Sequence, residues 1–542
     1  MKHYLLTCLI LGLICCQYSA SAQETIEWGQ AQKSPSKNYS PNIIGEDSLH
    51  IYVKGTLRKD NIIESYVKGS FSKKYSEVIT PEKINRQITK LESVQFDGSQ
   101  FFVLVSQYDK KSKVNSIYGY RVDAVTGEKK GKEVKLFETE VEKKRRRGAF
   151  VVITSPDKTK VLVSHIAYHL TLGKHKHVTK LLDADLNIIF ELEEEFAGDL
   201  YEAKNGLLDN NGSFYFQKKH EEVLSIVSYD ADRDFEKWEE FITGDNLDIS
   251  MGAGVTDFRF NLNANGDLTV SGYYHEPKKD PNKDNKKKKK KTKKPTYTLA
   301  GCFYAVISGE SKEIITKKVS RFDDAFIKQF QTQRQERKGK DAAVPNAFHD
   351  IYILNKSDGG IVLVGEMYYH TLIYTNNGSS EYILYGDLIA LNFSSTGDLL
   401  WANRIPKKQI YSWYTRTHWL YYGSAGISLF VPPKTRTVEY FGYLPKIQED
   451  KLVILFNDNP KNNVSKDDQT KMKPLKKLNK ATVTMFTIDM ESGEKKEELF
   501  LGGKDFKIQL KPMIHFQENE SSPMYTFGMK GKTYKFGVMK TK

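Results

Sequence analysis

One short phrase occurs three times in this chain with small changes. It reads "VLVSHIAYH" at 161–169, "LTVSGYYH" at 268–275 and "IVLVGEMYYH" at 361–370. Each copy is an apolar run, rich in Val, Leu and Ile, that ends in Tyr and His. Such runs, bounded by Asn, Asp, Gly and Ser, are typical of short β-strands. A repeated strand with the same ending predicts a fold built from similar units placed side by side.

Turn phrases rich in Asn, Asp and Gly recur along the whole chain, one before each strand of this kind. They begin near 46, 96, 155, 208, 263, 356, 448 and 517, mostly at intervals of 50 to 60 residues. A second turn, with Gly near its centre, follows in several units, at 123–131, 392–401 and 488–496. Each unit therefore reads as an antiparallel meander of about four strands, the size and order of a propeller blade.

The two terminal units decide the number of blades. The unit near 517 supplies about two strands, and the unit that begins at 46 also looks incomplete. Pairing them would close a ring and remove exposed sheet edges. We therefore predict an all-β fold, a β-propeller of seven four-stranded antiparallel blades closed by both termini. It spans 46–542 and follows an N-terminal extension at 23–45. Six or eight blades and a two-domain arrangement are the alternatives.

Two segments carry helix signals. Residues 80–93 open with Thr and Pro and place Ile and Leu at helical spacing. Residues 323–340 lie inside one of the longer units and place Phe326, Ile327 and Phe330 on one side. Both segments are predicted to be short helical additions to the repeated β-units.

The first 22 residues have the layout of a secretory signal peptide. A basic start precedes an apolar core at 5–16, and Ala20-Ser21-Ala22 fits a cleavage site before Gln23. The apolar core is too short to span a bilayer, which takes about 20 residues. The sequence thus predicts an exported protein, in the periplasm, at the cell surface or outside the cell, with no transmembrane segment in the mature chain.

Positive charge is concentrated in one place. The chain has a formal net charge of +14, and residues 278–294 hold eleven Lys and two Asp. Runs of like charge repel and stay solvated, so a disordered insertion at a loop tip is one interpretation. The other is an electrostatic arm for an anionic surface, whereas nucleic acid is not an expected partner of an exported protein. The centre of this segment is the run Lys286, Lys287, Lys288, Lys289, Lys290 and Lys291.

Candidate residues for chemistry are few. A hairpin in "SHIAYHLTLGKHKH" would bring several imidazoles together as weak candidates for a zinc site. Lysines between them oppose a dication, so a polar hairpin tip is the alternative. No catalytic residue and no cofactor is predicted, although carboxylate pairs distant in sequence stay open. Cys302, which alone remains after the signal, lies in an apolar run and reads as a buried small hydrophobe. The histidines are His165, His169, His175 and His177.

Aromatic residues provide the candidate binding surface. Tyr, Trp, Arg and His crowd together at 410–423, and the third copy of the repeated phrase also ends in aromatic residues. If these side chains are exposed, they would form a binding surface for peptide or sugar. If they alternate along strands, most of them would fill the cores of the blades. Glu366 interrupts the apolar run of the third copy, "IVLVGEMYYH". Its carboxylate is expected to face either the central channel or a solvated edge of the sheet. The surface residues proposed are Tyr368, Tyr369, His370, Trp413 and Trp419.

Three stretches carry a family resemblance. "GGIVLVGEMYYH" at 359–370, "GDLIALNFSSTGDLLWANRIPKKQ" at 386–409 and "DKLVILFNDNPKN" at 450–462 resemble segments of an uncharacterised exported family of Bacteroidota. The signal ending in Ala-Gln is also similar to signals from that phylum. The resemblance covers part of the chain and implies a β-propeller-like protein with no assigned activity.

The sequence favours a non-catalytic exported β-propeller, a monomer that binds a protein or glycan of the bacterial envelope. One alternative is a propeller enzyme, a hydrolase or lyase acting on carbohydrate or peptide, whose carboxylates or histidines converge in the central channel. The other is a protein that associates with an anionic envelope surface through residues 278–294.

Overall fold

The computed structural model describes most of the chain between residues 24 and 541. Within that span it omits 36–38, 40, 58–59, 80–82, 85–87, 143–146, 170–172, 198–203, 221–222, 250–252, 264, 278–296, 376–377, 416–437, 463–471, 502–507 and 519–521. The predicted signal peptide and the Lys-rich run Lys286–Lys291 therefore lie outside the described residues.

The described chain is almost entirely β-structure. Its strands up to residue 241 are β1 (Glu24–Trp28), β2 (Gln32–Lys33), β3 (Asn42–Glu46), β4 (His50–Leu57), β5 (Asp60–Val67), β6 (Lys73–Val78), β7 (Lys90–Phe96), β8 (Gln100–Asp109), β9 (Val114–Asp123), β10 (Lys129–Glu140), β11 (Ala149–Thr154), β12 (Lys160–His169), β13 (Lys174–Asp183), β14 (Ile188–Ala197), β15 (Lys204–Leu208), β16 (Phe214–His220), β17 (Val223–Asp230) and β18 (Glu236–Phe241).

The remaining elements include two short helices. The strands are β19 (Gly254–Leu262), β20 (Leu268–Pro277), β21 (Tyr297–Ile307), β22 (Ile314–Arg321), β23 (Val344–Pro345), β24 (Phe348–Asn355), β25 (Ile361–Thr375), β26 (Gly378–Phe393), β27 (Leu399–Ile405), β28 (Gln409–Thr415), β29 (Leu444–Gln448), β30 (Lys451–Asp458), β31 (Thr482–Asp489), β32 (Lys495–Leu501), β33 (Gln509–Phe516), β34 (Met524–Lys530) and β35 (Thr533–Thr541). The α-helices of the described residues, both between β22 and β23, are α1 (Asp324–Lys328) and α2 (Gln333–Glu336), and single 3-10 turns lie at Ala231–Arg233, Val438–Tyr440 and Leu478–Lys480.

These strands form eight antiparallel sheets, and in seven of them four strands follow one another as a meander in chain order. Blades one to four are β3–β6, β7–β10, β11–β14 and β15–β18. Blade five is β19–β22 with β23 added, blade six is β24–β27 with β28 added, and blade seven is β29–β32. Blade eight combines β33, β34 and β35 with β1, and β2 also pairs with β35.

The eight sheets close into a ring. The first strands of neighbouring blades contact one another in turn, from β3 through β7, β11, β15, β19, β24 and β29 to β33, and β33 contacts β3. Clusters of buried apolar side chains lie between adjacent sheets at all eight junctions. The core is therefore divided among the junctions, and the first strands surround the propeller axis.

The prediction of seven blades is wrong, and the structure has eight. All eight turn phrases of the sequence lie between the first and second strands of a blade. The fourth strand of blade eight is β1, in register from Glu24 opposite Thr541 to Trp28 opposite Gly537. The incomplete C-terminal unit is thus completed from within 23–45, whereas the unit that begins at 46 joins a full blade of its own. Ring closure by the two ends of the chain is confirmed.

The repeated phrase is the same strand in three different blades. Its copies are β12, β20 and β25, the second strands of blades three, five and six. The second kind of turn connects the third and fourth strands of its blade. Its glycines, Gly127, Gly397 and Gly493, have φ angles of +79°, +83° and +71°, which favour Gly because it lacks a Cβ.

One of the two predicted helical segments contains helices, and the other does not where it is described. Residues 323–340 contain α1 and α2, and Phe326 is buried between blades five and six. The prediction for 80–93 is wrong where the structure describes it, because residues 90–93 belong to β7. That strand pairs with β8 and places Val94 and Phe96 in the core. Pairing with a neighbouring strand outweighs helical spacing of a few apolar residues.

Connections leave the ring on two faces. Because neighbouring strands are antiparallel, the links between second and third strands and those between blades share one face. Residues 278–294 link the second and third strands of blade five, so their attachment points lie on this face. Within the described residues, no helix is long and apolar enough to cross a membrane.

Candidate binding surface

Strands β25 and β26 are 15 and 16 residues long and continue past the rest of blade six. The pairing of β25 with β24 ends at Met367, and the pairing of β26 with β27 ends at Leu388. Beyond that point β28 takes over, pairing Gln409 to Thr415 with the opposite edge of β26. Residues 368–375, 378–385 and 409–415 thus form a three-stranded sheet, here called the blade-six extension.

One face of the blade-six extension is packed. Ile383 and Tyr385 are buried against Phe441, and the rings of Tyr385 and Phe441 stack with centroids 5.8 Å apart. Tyr368 is half-buried, with its ring centroid 5.4 Å from that of Tyr385. His370 Nε2 lies 2.5 Å from Glu381 Oε1 toward the end of the same face. This face anchors the extension to the propeller.

The opposite face, here called the exposed face, is apolar and open. Tyr369, Ile373 and Tyr382 are 43%, 46% and 41% exposed. Tyr382 pairs with Thr371, which lies between Tyr369 and Ile373 on β25, so the three side chains form one patch. Exposed apolar patches rimmed by polar residues commonly mark interaction sites.

The structure brings together part of the predicted surface. Tyr368, Tyr369 and His370 all lie on the blade-six extension, but only Tyr369 belongs to the exposed face. The backbone of Trp413 lies in β28 opposite Glu381, and Trp419 lies outside the described residues. Sequence reasoning missed Ile373 and Tyr382. The signal that could have found them is the length of the two strand-like runs at 361–375 and 378–393, which are longer than the other strands of the propeller.

Glu366 lies beneath the extension, between blades six and seven. Its carboxylate pairs with the ammonium of Lys407, and both side chains are almost fully buried. Lys407 Nζ also lies 5.6 Å and 5.9 Å from the ring centroids of Tyr385 and Phe456. Neither sequence-based position for Glu366 is therefore correct, because its partner comes from a connection 41 residues away.

Asp458 completes this buried charged group at the end of β30. Its Oδ1 accepts a hydrogen bond from Asn462 Nδ2 at 2.8 Å, and the whole residue is buried. Burial raises the pKa of the Asp458 carboxyl to about 7, while nearby Lys407 opposes that rise. Burial in turn lowers the pKa of Lys407, although Glu366 favours its charged form. Glu366, Lys407 and Asp458 thus connect blades six and seven, and we interpret them as a structural ion-pair network, a kind of group that also shows shifted pKa values.

The four candidate histidines lie in β12 and β13 of blade three. The strand register places His165 opposite Val178 and His169 opposite Lys174, whereas His177 is opposite Ile166 and His175 opposite Tyr168. His165 and His169 therefore point to one side of the sheet, and His175 and His177 to the other. Among the described residues, no three His, Cys, Asp or Glu side chains are grouped to hold a metal ion.

The buried histidines have structural partners. His165 Nε2 lies 2.6 Å from the carbonyl oxygen of Arg147. His177 Nε2 lies 2.9 Å from Thr179 Oγ1 and also contacts Ser164 Oγ. Burial lowers the pKa of His165 to about 4 and that of His177 to about 3, so both are neutral at physiological pH. Cys302 is buried as predicted, and burial raises the pKa of its thiol.

The first strands of blades five and six bring a carboxylate and an imidazole near each other. His349 Nδ1 lies 4.0 Å from Asp257 Oδ2, and Asp257 Oδ1 lies 3.2 Å from a guanidinium nitrogen of Arg259. Gln217 Nε2 is 3.4 Å from the same Asp257 oxygen. This is a mixed polar network of two adjacent first strands and a neighbouring second strand.

No protein-family model and no curated protein sequence matches this chain. Solved structures do match it at low similarity. Prolyl oligopeptidase B from Galerina marginata, bound to a 35mer substrate, is 10% identical with a TM-score of 0.35. That match covers 91% of this chain and 56% of the enzyme, so the chain spans little more than half of it.

Two other matches cover most of both chains. An uncharacterized protein from Listeria monocytogenes is 9% identical with a TM-score of 0.31, over 77% of this chain and 88% of that one. The Dos1 propeller is 10% identical with a TM-score of 0.31, over 95% of each chain. The ring of eight four-stranded sheets identifies this chain as an eight-bladed β-propeller.

Proposed function

We propose that this chain is an exported, non-catalytic β-propeller that binds a polypeptide of the bacterial envelope through the blade-six extension. The carrying observation is the exposed face, where Tyr369, Ile373 and Tyr382 form an apolar patch outside the blade junctions. Aromatic and aliphatic side chains together are characteristic of the buried centre of protein interfaces. Because Ile373 has no polar group, the patch favours a polypeptide over a glycan.

Export is part of the same proposal and rests on the sequence of residues 1–22. The resemblance of three stretches to an exported family of Bacteroidota supports a partner in the envelope of such bacteria. The mature protein recovered from a cell envelope fraction should begin at Gln23, as determined by mass spectrometry of its N-terminal peptide. An intact N-terminus in the cytoplasmic fraction would contradict export.

The binding proposal is tested with the mature chain as bait against envelope extract. A double variant, Tyr369→Ser with Tyr382→Ser, should lower capture of a defined partner about tenfold or more, since each buried aromatic contact contributes strongly to interfaces. The matched control is Phe241→Ser with Ile315→Ser, which removes two apolar side chains of similar exposure (48% and 57%) from other blades. Equal capture by both variants would refute a role for the exposed face.

The same experiment separates the Lys-rich segment from the propeller. Each bait is prepared with and without residues 278–294 and washed at low and at high salt. Attraction between exposed charges is screened by salt, whereas apolar contact is not. Capture that needs 278–294 and disappears at high salt would assign binding to this segment as an arm for anionic surfaces, and would contradict the proposal.

A further inference from the structure

One edge of the blade-six extension, on the side of the first strand β24, is formed by β25 and has no neighbouring strand among the described residues. β25 pairs with β24 up to Met367, and the amide of Tyr368 still donates to the carbonyl oxygen of Ala347 at 2.9 Å. From Tyr369 to Thr375, β25 pairs with β26 only, in unbroken register. Within the described part of the chain, no other strand lies along this edge.

The direction of the backbone groups follows from the register. The Tyr368 amide points away from β26, and alternate residues of an antiparallel strand point the same way. His370, Leu372 and Tyr374 therefore direct their backbone N–H and C=O groups away from β26, toward the open edge of the sheet. These groups form the hydrogen-bonding pattern that another extended strand requires.

This edge carries none of the usual protections. Residues 369–375 read "YHTLIYT", without Lys, Pro or Gly, and with His370 held beside Glu381. Natural edge strands are commonly blocked by charges, Pro or bulges, or are covered by another element. Here the opposite edge of the extension is covered by β28. The protein thus covers one edge of this sheet and leaves the other open beside the exposed face.

We infer that residues 369–375 of β25 bind an extended segment of another polypeptide as an added strand. The inference rests on the proposed function and specifies its mode. Main-chain hydrogen bonds would align the incoming segment, and its side chains at alternate positions would extend the exposed face formed by Tyr369 and Ile373. Those alternate positions should be apolar and uncharged, since a charge there would lose water without gaining a partner.

A second copy of this chain fits less well. Two-fold pairing of β25 with itself would extend the sheet and leave the exposed face uncovered on both copies. A seven-residue edge also supplies only part of the roughly 1,200–2,000 Å² that stable interfaces bury. A foreign segment with apolar side chains, carried by a larger body that covers the exposed face, satisfies both the edge and the patch.

Leu372→Pro tests the edge without altering the exposed face. Proline removes the outward N–H and blocks an added strand, and the bonds between β25 and β26 remain because this amide does not take part in them. Leu372→Ala is the matched control, since it removes the same side chain and keeps the N–H. Equal circular dichroism and Tm for the two variants would show that both are folded and that the free protein does not already pair this edge.

The probe is a displayed library of random dodecapeptides selected on the wild-type mature chain. Enriched peptides should carry apolar residues at alternate positions. Their affinity, measured by fluorescence anisotropy, should fall about tenfold or more with Leu372→Pro and by less than that with Leu372→Ala. Equal affinity for the two variants, combined with loss in the Tyr369→Ser/Tyr382→Ser variant, would overturn strand addition and leave the proposed function intact.

Other outcomes also decide the matter. Failure to enrich any peptide would overturn the inference, whereas capture of a partner that depends on the exposed face would still support the proposed function. A wild-type dimer in light scattering that becomes a monomer with Leu372→Pro would assign the edge to a second copy. A larger loss of Tm with Leu372→Pro than with Leu372→Ala would show that the chain itself already occupies the edge.

Discussion

The hydroxyl groups of Tyr66 and Tyr534 lie 2.9 Å apart, although 468 positions separate them in the chain. Both side chains are fully buried at the junction of blades one and eight. Tyr66 Oη also lies 3.0 Å from Glu64 Oε2, and Tyr534 Oη lies 3.1 Å from Gln32 Oε1. This network joins the first and last blades where the ring closes.

Tyr534→Phe should destabilise the protein by about 1–3 kcal/mol, because the hydroxyl of Tyr66 stays buried and the amide of Gln32 stays half-buried after the Tyr534 hydroxyl is lost. The free energy of unfolding measured in urea checks this value. Tyr297→Phe is the control, since Tyr297 is 39% exposed and lies in another blade. An effect no larger than that of the control would show that the network adds little to closure.

Removal of residues 24–28 should lower the free energy of unfolding by a few kcal/mol or more, on the order of burying Ile26 plus several backbone hydrogen bonds. A synthetic peptide with the sequence ETIEW should partly restore the Tm when added in excess, because binding to the folded state stabilises it. A chain that begins at residue 24 serves as reference. An unchanged Tm after truncation would contradict the role of β1.

Lys407→Met should destabilise the protein by about 3–5 kcal/mol, because it removes the ammonium from the buried carboxylate of Glu366. The double variant Lys407→Met with Glu366→Gln should recover much of that loss, since no buried charge is left uncompensated at this pair. Chemical unfolding of the three proteins measures both steps. Equal stability of the single and double variants would exclude coupling between the two side chains.

Asp458→Asn should stabilise the protein at pH 8 and have little effect near pH 4. The folded pKa of Asp458 is about 7, above the ordinary value of about 3.9. In the window between these values the folded state keeps a proton that the unfolded state has lost, so wild-type stability falls as pH rises, by about 1.4 kcal/mol per pH unit. Urea unfolding of both proteins across this window should show the difference growing with pH.

His177→Gln should weaken the acid sensitivity of the protein. The folded pKa of His177 is about 3, below the ordinary value of about 6.5. Between these values the unfolded state binds a proton that the folded state does not, so wild-type stability is lost as pH falls, by about 1.4 kcal/mol per pH unit. Unfolding at pH 7.5 and pH 5 should give a smaller change for the variant; an equal change would contradict a neutral buried imidazole.

The sequence alone predicted the repeated unit and its turns, because both depend on local chemistry. Alternating apolar runs bounded by Asn, Asp and Gly form strands and hairpins wherever they occur, and Gly397 and Gly493 take positive φ angles in equivalent turns. The burial of Cys302 also followed from its apolar surroundings. Each of these conclusions needed only a few neighbouring residues.

Tertiary structure decided what depends on partners distant in the chain. The eighth blade exists because Glu24–Trp28 pairs with Thr533–Thr541, and no local pattern records that pairing. Strand register, which is shared between two segments, placed the four candidate histidines on two sides of one sheet. Lys407 likewise reaches Glu366 only through packing of blade six. Local sequence therefore determined the repeated units. Which strand closes the ring, which charges are buried and which edge of β25 stays open depended on which distant segments came to lie together.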